Sequence, residues 1–230
     1  MAQMHANAGN NEEAISVYER GLNMNPRSLN LWKIFCSWSE YSFNSDEHYV
    51  RNCFERAISV IGIDYFSKFI WQKYIEFEDK KKNVLGVNQI YWRLVDIPIN
   101  DLPHFIQEYK EFINGISDLE IIRSFYDLVK NDGSELAKAQ VDSEIKNEEN
   151  IRESIIKLYE ERAMTAVNIA NMKSLFENKL KMNDFDGKVI EDFEISNWLK
   201  YIKNEKNLNE GRTGNIIYVF EKAITHIVSF

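Results

Sequence analysis

The sequence predicts an all-α fold, a curved superhelix of stacked antiparallel helix pairs, and three observations lead to it. Turn formers are scarce: 9 Gly and 3 Pro in 230 residues are too few for a many-stranded sandwich or barrel. A short aromatic–basic–aliphatic motif returns along the chain. A second motif, led by tryptophan, alternates with it at a nearly constant interval. Self-similarity of this sort is the signature of a repeat architecture, in which each unit buries its apolar face only against its neighbours. Core material is ample, with 44% of the residues hydrophobic and 13% aromatic.

Met1 to Ala8 reads as the tail of a tryptophan-type helix, here called the first type. A helix of the second type follows in Tyr18-Glu-Arg-Gly-Leu22, and its pattern recurs in Phe54-Glu-Arg-Ala-Ile58, Tyr91-Trp-Arg-Leu-Val95 and Phe220-Glu-Lys-Ala-Ile224. The aromatic and the aliphatic residue stand one helical turn apart and share a buried face, while the basic residue points elsewhere. Gly21, Ala57 and Ala223 are small at the third offset and let a neighbouring helix come close; Leu94 departs from this. Pro26 ends the helix of Tyr18 and precedes the first-type helix of Trp32, Phe35 and Ser39. Trp71, Tyr74 and Glu78 repeat that helix, as do Trp198, Tyr201 and Glu205. Offsets of three and seven fall on one stripe, so the rings bury together with the Glu at the stripe's end. From Trp32 to Phe54 the interval is 22 residues, from Trp71 to Tyr91 it is 20, and from Trp198 to Phe220 it is 22. Two antiparallel helices joined by a short loop fit that interval. After Pro98 and Pro103 comes a first-type helix without its Trp, around Ile106, Tyr109 and Ile113.

Two segments break the rhythm. Residues 131–150 hold six acids against two Lys, a charge of −4 out of the chain's −8, and read as an acidic linker. Residues 151–181 give one long charged helix with apolar positions at Ile155, Ile156, Tyr159, Ala163, Val167, Ala170 and Leu175, suited to bridging adjacent parts of the array. The expected organisation is therefore repeats over 1–130, the linker over 131–150, and over 151–230 a long helix followed by a further repeat of the same solenoid. The last helix stops at Ile227-Val-Ser-Phe230 with no capping helix after it, so a fragment is expected, or a second chain covering that end.

These alternating motifs resemble the half-a-tetratricopeptide (HAT) repeat of RNA-processing scaffolds, and within that group the pre-mRNA-processing factor 39 family. The likeness is carried by Tyr18-Glu-Arg-Gly, Pro26 and Ser28-Leu-Asn-Leu-Trp32, by Trp71-Gln-Lys-Tyr-Ile-Glu-Phe-Glu78, and by Ile90-Tyr-Trp-Arg with Ile97-Pro98. Tyr109-Lys-Glu-Phe-Ile113 and Phe176-Glu177, followed 22 residues on by Trp198-Leu-Lys-Tyr201, extend it in order. Ser39 and the Trp-less helix near Ile106 depart from the pattern. The resemblance implies a nuclear component of the U1 small nuclear ribonucleoprotein that acts at 5′ splice-site recognition and binds that particle's protein subunits. It also implies a homodimer, or a heterodimer with a related HAT protein, formed through a C-terminal solenoid half that this sequence does not cover.

No catalytic, cofactor-binding or metal site is expected, and the partner-binding residues are not readable from the sequence. His5, His48, His104 and His226 form no i, i+4 pair and have no cysteine companions. Aligning Gly187 of Asp184-Phe-Asp-Gly with a calcium loop puts Met182 and Phe193 where the two essential acids belong, so a turn is the better reading. Gly211-Arg-Thr-Gly214 lacks the ending of a phosphate loop and reads as an inter-helix loop. Lys80-Lys-Lys82 is either a solvated tip or a contact for RNA or an acidic partner. Glu78 and Glu205, beside buried rings, are expected to pair with a base of a second-type helix such as Arg93 or Lys222; as catalytic acids they lack a second carboxylate. Cys36 and Cys53 lie in apolar helical stretches and read as reduced core thiols of an intracellular protein. No run approaches the roughly 20 apolar residues that span a bilayer, so no membrane contact is expected, and Met1 to Asn7 carries no signal-peptide pattern.

Three functional classes stay open on the residues alone. A non-catalytic protein-binding scaffold is favoured, in the U1 particle or in another HAT complex such as the 3′-end cleavage factor or the crooked-neck type of splicing scaffold. A helical-repeat RNA reader needs a basic, periodic face, and the net charge of −8 speaks for RNA contact that is indirect or minor. An enzyme on a helical scaffold finds no supporting motif.

Overall fold

In the computed structural model, residues 11–131, 148–180, 192–208 and 213–228 are described, and every regular element among them is an α-helix. The elements are α1 (Asn11–Met24), α2 (Leu29–Ser42), α3 (Glu47–Ile61), α4 (Lys68–Lys80), α5 (Val84–Leu94), α6 (Leu102–Gly115), α7 (Leu119–Asn131), α8 (Glu148–Glu177), α9 (Asp192–Leu208) and α10 (Thr213–Val228). The acidic stretch between α7 and α8, the Asp184–Gly187 turn, Gly211 and Arg212, the helix expected at Met1–Ala8 and the terminal Phe230 lie outside the described residues. No described helix is long and apolar enough to cross a membrane.

Local chemistry starts the helices where the sequence reading places them. Ser28 accepts a hydrogen bond from the backbone N–H of Leu31 at 3.2 Å, Asp46 from that of Tyr49 at 3.0 Å, and Asn83 from that of Gly86 at 3.1 Å. Each satisfies one of the amide donors that a first helical turn leaves open. Pro103 sits inside the first turn of α6 rather than before it, where its missing N–H costs nothing. Gly21 is small for the reason anticipated: a Cβ there would lie 3.0 Å from Cδ2 of Leu31.

Consecutive helices pack as antiparallel pairs, and the pairs stack. Trp32, Trp71 and Trp198 are all buried, as are Phe35, Tyr74 and Tyr201 one turn further on. Two of the indoles also lock the turn before their helix. Nε1 of Trp32 donates to the Pro26 carbonyl at 2.7 Å, and Nε1 of Trp71 donates to the Gly62 carbonyl at 2.9 Å. The Trp-less helix keeps the geometry by other means. Tyr109 is fully buried, receives a hydrogen bond from Nε1 of Trp92 at 2.8 Å and donates to Oδ1 of Asn88 at 2.9 Å.

Helix α8 is the bridge. Its first half packs on α6 and α7 through Ile151, Ile155, Tyr159, Ala163 and Ala166, all within the main core that begins at α1. The Arg152 guanidinium donates to the carbonyls of Ile113 and Ile116 at the end of α6, a cation at a helix C-terminus. Its last turn meets a second, smaller core, where Phe176 packs with Leu180, Trp198, Tyr201, Val219 and Ala223. Leu175, expected on the buried face, is 61% exposed. The inward positions at this end are Lys173 and Glu177, which serve ion pairs, and they turn Leu175 outward.

Burial of so many phenols sets a pH limit on the fold. Desolvation pushes the hydroxyls of Tyr91, Tyr109, Tyr159 and Tyr201 well above their ordinary value. The unfolded chain releases these protons near pH 10 and the folded one holds them, so stability is lost as pH climbs past about 10. In an alkaline titration these tyrosines are expected to ionise together with the loss of helical circular dichroism. Ionisation of all four while the helices stay intact would contradict their burial.

Candidate functional site

The side chains that could carry chemistry or recognition follow the repeat and fall into three sets of contacts. The first is a ring contact between each second-type helix and the first-type helix that comes next, stacked at Phe54–Tyr74 and Phe176–Tyr201 and tilted at Tyr18–Phe35 and Tyr91–Tyr109. Centroids lie 5.3 Å apart for Tyr18 and Phe35, 5.0 Å for Phe54 and Tyr74, 5.2 Å for Tyr91 and Tyr109, and 5.2 Å for Phe176 and Tyr201. Phe176 and Glu177, at the end of α8, therefore occupy a second-type position.

The second set pairs the first-type Glu with a base three residues before the stacked aromatic. Glu78 receives Nε of Arg51 at 2.7 Å and its Nη2 at 3.1 Å, with Nδ2 of Asn83 at 2.7 Å. Glu205 lies 3.5 Å from Lys173. These partners differ from the expected Arg93 and Lys222, because the end of the first-type stripe faces the helix before it. In the two repeats without the Glu, the base is missing too. Ser39 corresponds to Ile15, and Ile113 to Asn88. An acid and its base are gained and lost together within one chain, which is what the cost of a lone buried charge demands.

In the third set, the base of each second-type helix reaches back to the acid of the preceding one. Arg56 grips Glu19 at 2.7 and 2.8 Å, Arg93 grips Glu55 at 2.6 and 2.8 Å, and Lys222 meets both oxygens of Glu177 at 3.0 Å. The Arg56 hydrogen bond holds the Glu19 carboxyl below its ordinary value; at Glu55 burial opposes, and the Arg93 hydrogen bonds outweigh it. The sequence reading assigns Arg93 and Lys222 to Glu78 and Glu205 instead, so these rungs are a correction to it. The outer rungs are weak: Arg93 and Glu55 are each 43% exposed, so Arg93→Ala is expected to cost under about 1 kcal/mol in a urea titration.

The innermost rung is different in kind. Lys222 also lies 2.9 Å from Oδ2 of Asp64, in the turn after α3, and that oxygen accepts from the Tyr218 hydroxyl at 2.9 Å. Oδ1 of Asp64 accepts from the Phe66 N–H at 2.8 Å, and Glu177 accepts from the Tyr201 hydroxyl at 2.9 Å. Arg27, in the turn after α1, stacks on the Tyr218 ring at 4.4 Å and pairs with Glu221. Helix α10 thus closes back onto the turns that follow α1 and α3. Every acid in the cluster faces a cation or a hydroxyl, an arrangement that holds helices together.

The remaining candidates resolve in the same direction. Nζ of Lys80 bonds Glu40 at 2.7 Å, and Nζ of Lys81 bonds the Asn44 carbonyl at 2.9 Å and lies 3.5 Å from Glu47, so two lysines of the basic tip tie α4 to the α2–α3 turn. Lys82 is exposed at φ 57°. Cys36 and Cys53 are buried and unlinked, and burial pushes the Cys36 thiol far up. His104 sits 3.2 Å from Glu108 on the surface of α6. Among the described residues, no three His, Cys, Asp or Glu side chains gather as metal ligands.

One surface departs from the repeat. Phe220 and Ile224, expected to be buried like their counterparts, are 51% and 45% exposed, and Ile217 on the same stripe is 52% exposed. The stacking partner that covers Tyr18, Phe54, Tyr91 and Phe176 has no equivalent over Phe220 among the described residues.

Comparison with known proteins agrees with this architecture. A family model described as the PRP39 N-terminal HAT repeat matches residues 1–111. Pre-mRNA-processing factor 39 of Xenopus laevis is 27% identical over 92% of the chain, that of Schizosaccharomyces pombe 25% over 93%, and that of Homo sapiens 26% over 90%. The chain spans about a third of the length of these relatives, covering 36%, 36% and 34% of them.

Proposed function

Because the chain belongs to the pre-mRNA-processing factor 39 family, we propose that it is a non-catalytic, protein-binding scaffold of the U1 small nuclear ribonucleoprotein, acting in the nucleus at 5′ splice-site recognition. The observation that carries this reading is the ordered match to those relatives over nine-tenths of the chain, 27% identical over 92% of it in the first case. The charged side chains support it. Arg51 with Glu78, Arg93 with Glu55 and Lys222 with Glu177 join one helix to the next, an organisation suited to holding a curved surface rigid for protein partners. Residues 1–130 and 151–230 then serve as parts of one array with the acidic stretch between them. Its partners are protein subunits of the particle and a second HAT protein, identical or related, while RNA contact is indirect or minor.

The test is affinity recovery of the tagged chain from nuclear extract, probed for small nuclear RNAs and for 3′-end cleavage factors. U1 RNA is expected in the eluate and is expected to leave it when protein contacts are denatured. Recovery of a cleavage complex without U1 would place the scaffold elsewhere. Tight, steeply salt-dependent binding of purified U1 RNA by the chain alone would replace protein scaffolding by RNA recognition.

A further inference from the structure

The repeat is incomplete at one internal place, the second half of α8. On α3, α5 and α10 the residue before the aromatic and the residue three after it face the first-type helix of the same pair. Cys53 and Ala57, Ile90 and Leu94, and Val219 and Ala223 are all buried in this way. The Cys36 thiol of α2 reaches the Cys53 carbonyl, and Val219 and Ala223 share a core with Trp198 and Tyr201 of α9. Around Phe176 the matching residues are Leu175, 61% exposed, and Lys179, exposed just past the end of α8. Met164, Asn168 and Asn171 continue that face and are exposed, with Met172 partly buried beside them. Upstream the same stripe is charged, at Lys157 and Glu161, whereas from Met164 to Leu175 it carries apolar and amide side chains alone.

We propose that the Met164–Leu175 stripe is a docking site for one amphipathic helix of a separate protein, laid antiparallel to α8, apolar on one face and with a carboxylate in its first turn. Met164 to Leu175 spans about 16 Å, or about three turns, which sets the length of the apolar face. That the helix belongs to a separate protein follows from how the complete pairs are joined. Helices α2, α4 and α9 run into α3, α5 and α10 through the short connections 43–46, 81–83 and 209–212. Helix α8 has already run about 24 Å from Glu148, along α6 and α7, before it reaches Met164. A short turn ahead of α8 therefore cannot deliver a hairpin partner to the stripe. The carboxylate follows from Lys179. It stands where the first turn of an antiparallel helix arrives, and no carboxylate among the described residues pairs with it. The two methionines adapt to aliphatic or ring side chains on the incoming face.

The inference rests on the scaffold reading and names the chemistry of one partner. The probes are fluorescent, hydrocarbon-stapled helices of about four turns. One has Leu along a single face and Glu in its first turn, a second has Lys in place of that Glu, and a third has Ser in place of the Leu. Anisotropy is read against the whole chain and its surface variants, whose helix content is checked by circular dichroism. The Leu helix led by Glu is expected to bind best, and Leu175→Lys to weaken it about tenfold or more, the loss of one buried aliphatic side chain. Lys179→Glu is expected to reverse the preference between the Glu-led and Lys-led helices, and Phe220→Ser, on the other half-exposed stripe, to change nothing. Hydrogen peroxide is expected to oxidise Met164 in the chain alone and to spare it under the bound helix. Indifference to Leu175→Lys, loss of binding with Phe220→Ser, or no binding by any helix overturns the proposal. So does protection of Met164 in the chain alone, which would mean that the chain covers its own stripe. A concentration-dependent dimer, seen by sedimentation, that Leu175→Lys dissolves would give the stripe to a second copy and overturn it as well. U1 recovered from extract alongside helix binding that ignores Leu175 sinks the docking stripe alone. Binding that follows Leu175 without U1 recovery sinks the placement in the U1 particle alone.

Discussion

Replacing Trp71 by alanine is expected to destabilise the chain by about 3–5 kcal/mol, because it empties the site of one of the largest fully buried side chains. Trp71 is 1% exposed and belongs to the main core, so its removal leaves a cavity walled by other buried side chains. Packing is the larger part of the loss, and the rest is polar. The indole N–H also donates to the Gly62 carbonyl, which accepts from the Ser67 hydroxyl at 2.8 Å as well, and the turn between α3 and α4 is built around that carbonyl. The Arg93 guanidinium lies 5.8 Å from the Trp71 ring, so the rung to Glu55 loses its floor at the same time. Trp71→Phe separates the two contributions. It keeps most of the volume and loses the hydrogen bond, and is expected to cost about 1–2 kcal/mol. Chemical denaturation followed by circular dichroism reads both. An unchanged midpoint for Trp71→Ala would remove this residue from the core and with it the stacking of α4 on α3.

That the array is helical, and which rings face inward, is legible in the sequence because both follow from spacing. The separation of Trp71 from Tyr74, or of Phe54 from Ile58, puts them on one side of any helix whatever its neighbours. Which charges meet is not legible in the same way, because that depends on the direction in which each helix faces. Spacing places Glu78 beside buried rings but does not turn it toward α3, so it points to Arg93 where the structure has Arg51. The co-occurrence of Arg51 with Glu78 and of Lys173 with Glu205 is nevertheless present in the sequence. It becomes visible once the aromatic of each second-type helix is taken as the origin and the residue three before it is read against the end of the next helix. Leu175 shows the opposite failure. Apolar spacing marks it as core, but the inward side of the last turn of α8 belongs to Lys173 and Glu177, whose ion pairs a hydrophobic pattern does not register. Phe220 and Ile224 satisfy the repeat and are exposed all the same, since burial needs a partner as well as a pattern.

Converting Lys222 to methionine is expected to cost about 3–5 kcal/mol, several times the loss at Arg93, although both are bases at the same repeat position. The difference is solvent. Lys222 is 7% exposed, and its ammonium is the cation shared by Asp64 and Glu177, at 2% and 1%. Methionine fills the same volume, so what is lost is charge, leaving two carboxylates in an interior that cannot hydrate them. Burial alone would lower the ammonium's affinity for its proton, but Asp64 and Glu177 outweigh it and the value is raised. Its contribution is therefore complete below about pH 10.4 and fades as pH rises past the folded value. Two further measurements separate an electrostatic clasp from ordinary packing. Combining Lys222→Met with Asp64→Asn and Glu177→Gln is expected to restore most of the loss: the Asn oxygen keeps the Phe66 N–H while its amino group donates to the Tyr218 hydroxyl, the Gln oxygen still accepts from Tyr201, and no charge remains buried. Hydrogen exchange in the single variant is expected to rise in the turn 62–67 as well as along α10, because Asp64 is the point at which the two are joined. Loosening confined to α10 would mean that the last helix is held by Trp198 and its neighbours alone, and that the array does not close upon itself through this lysine.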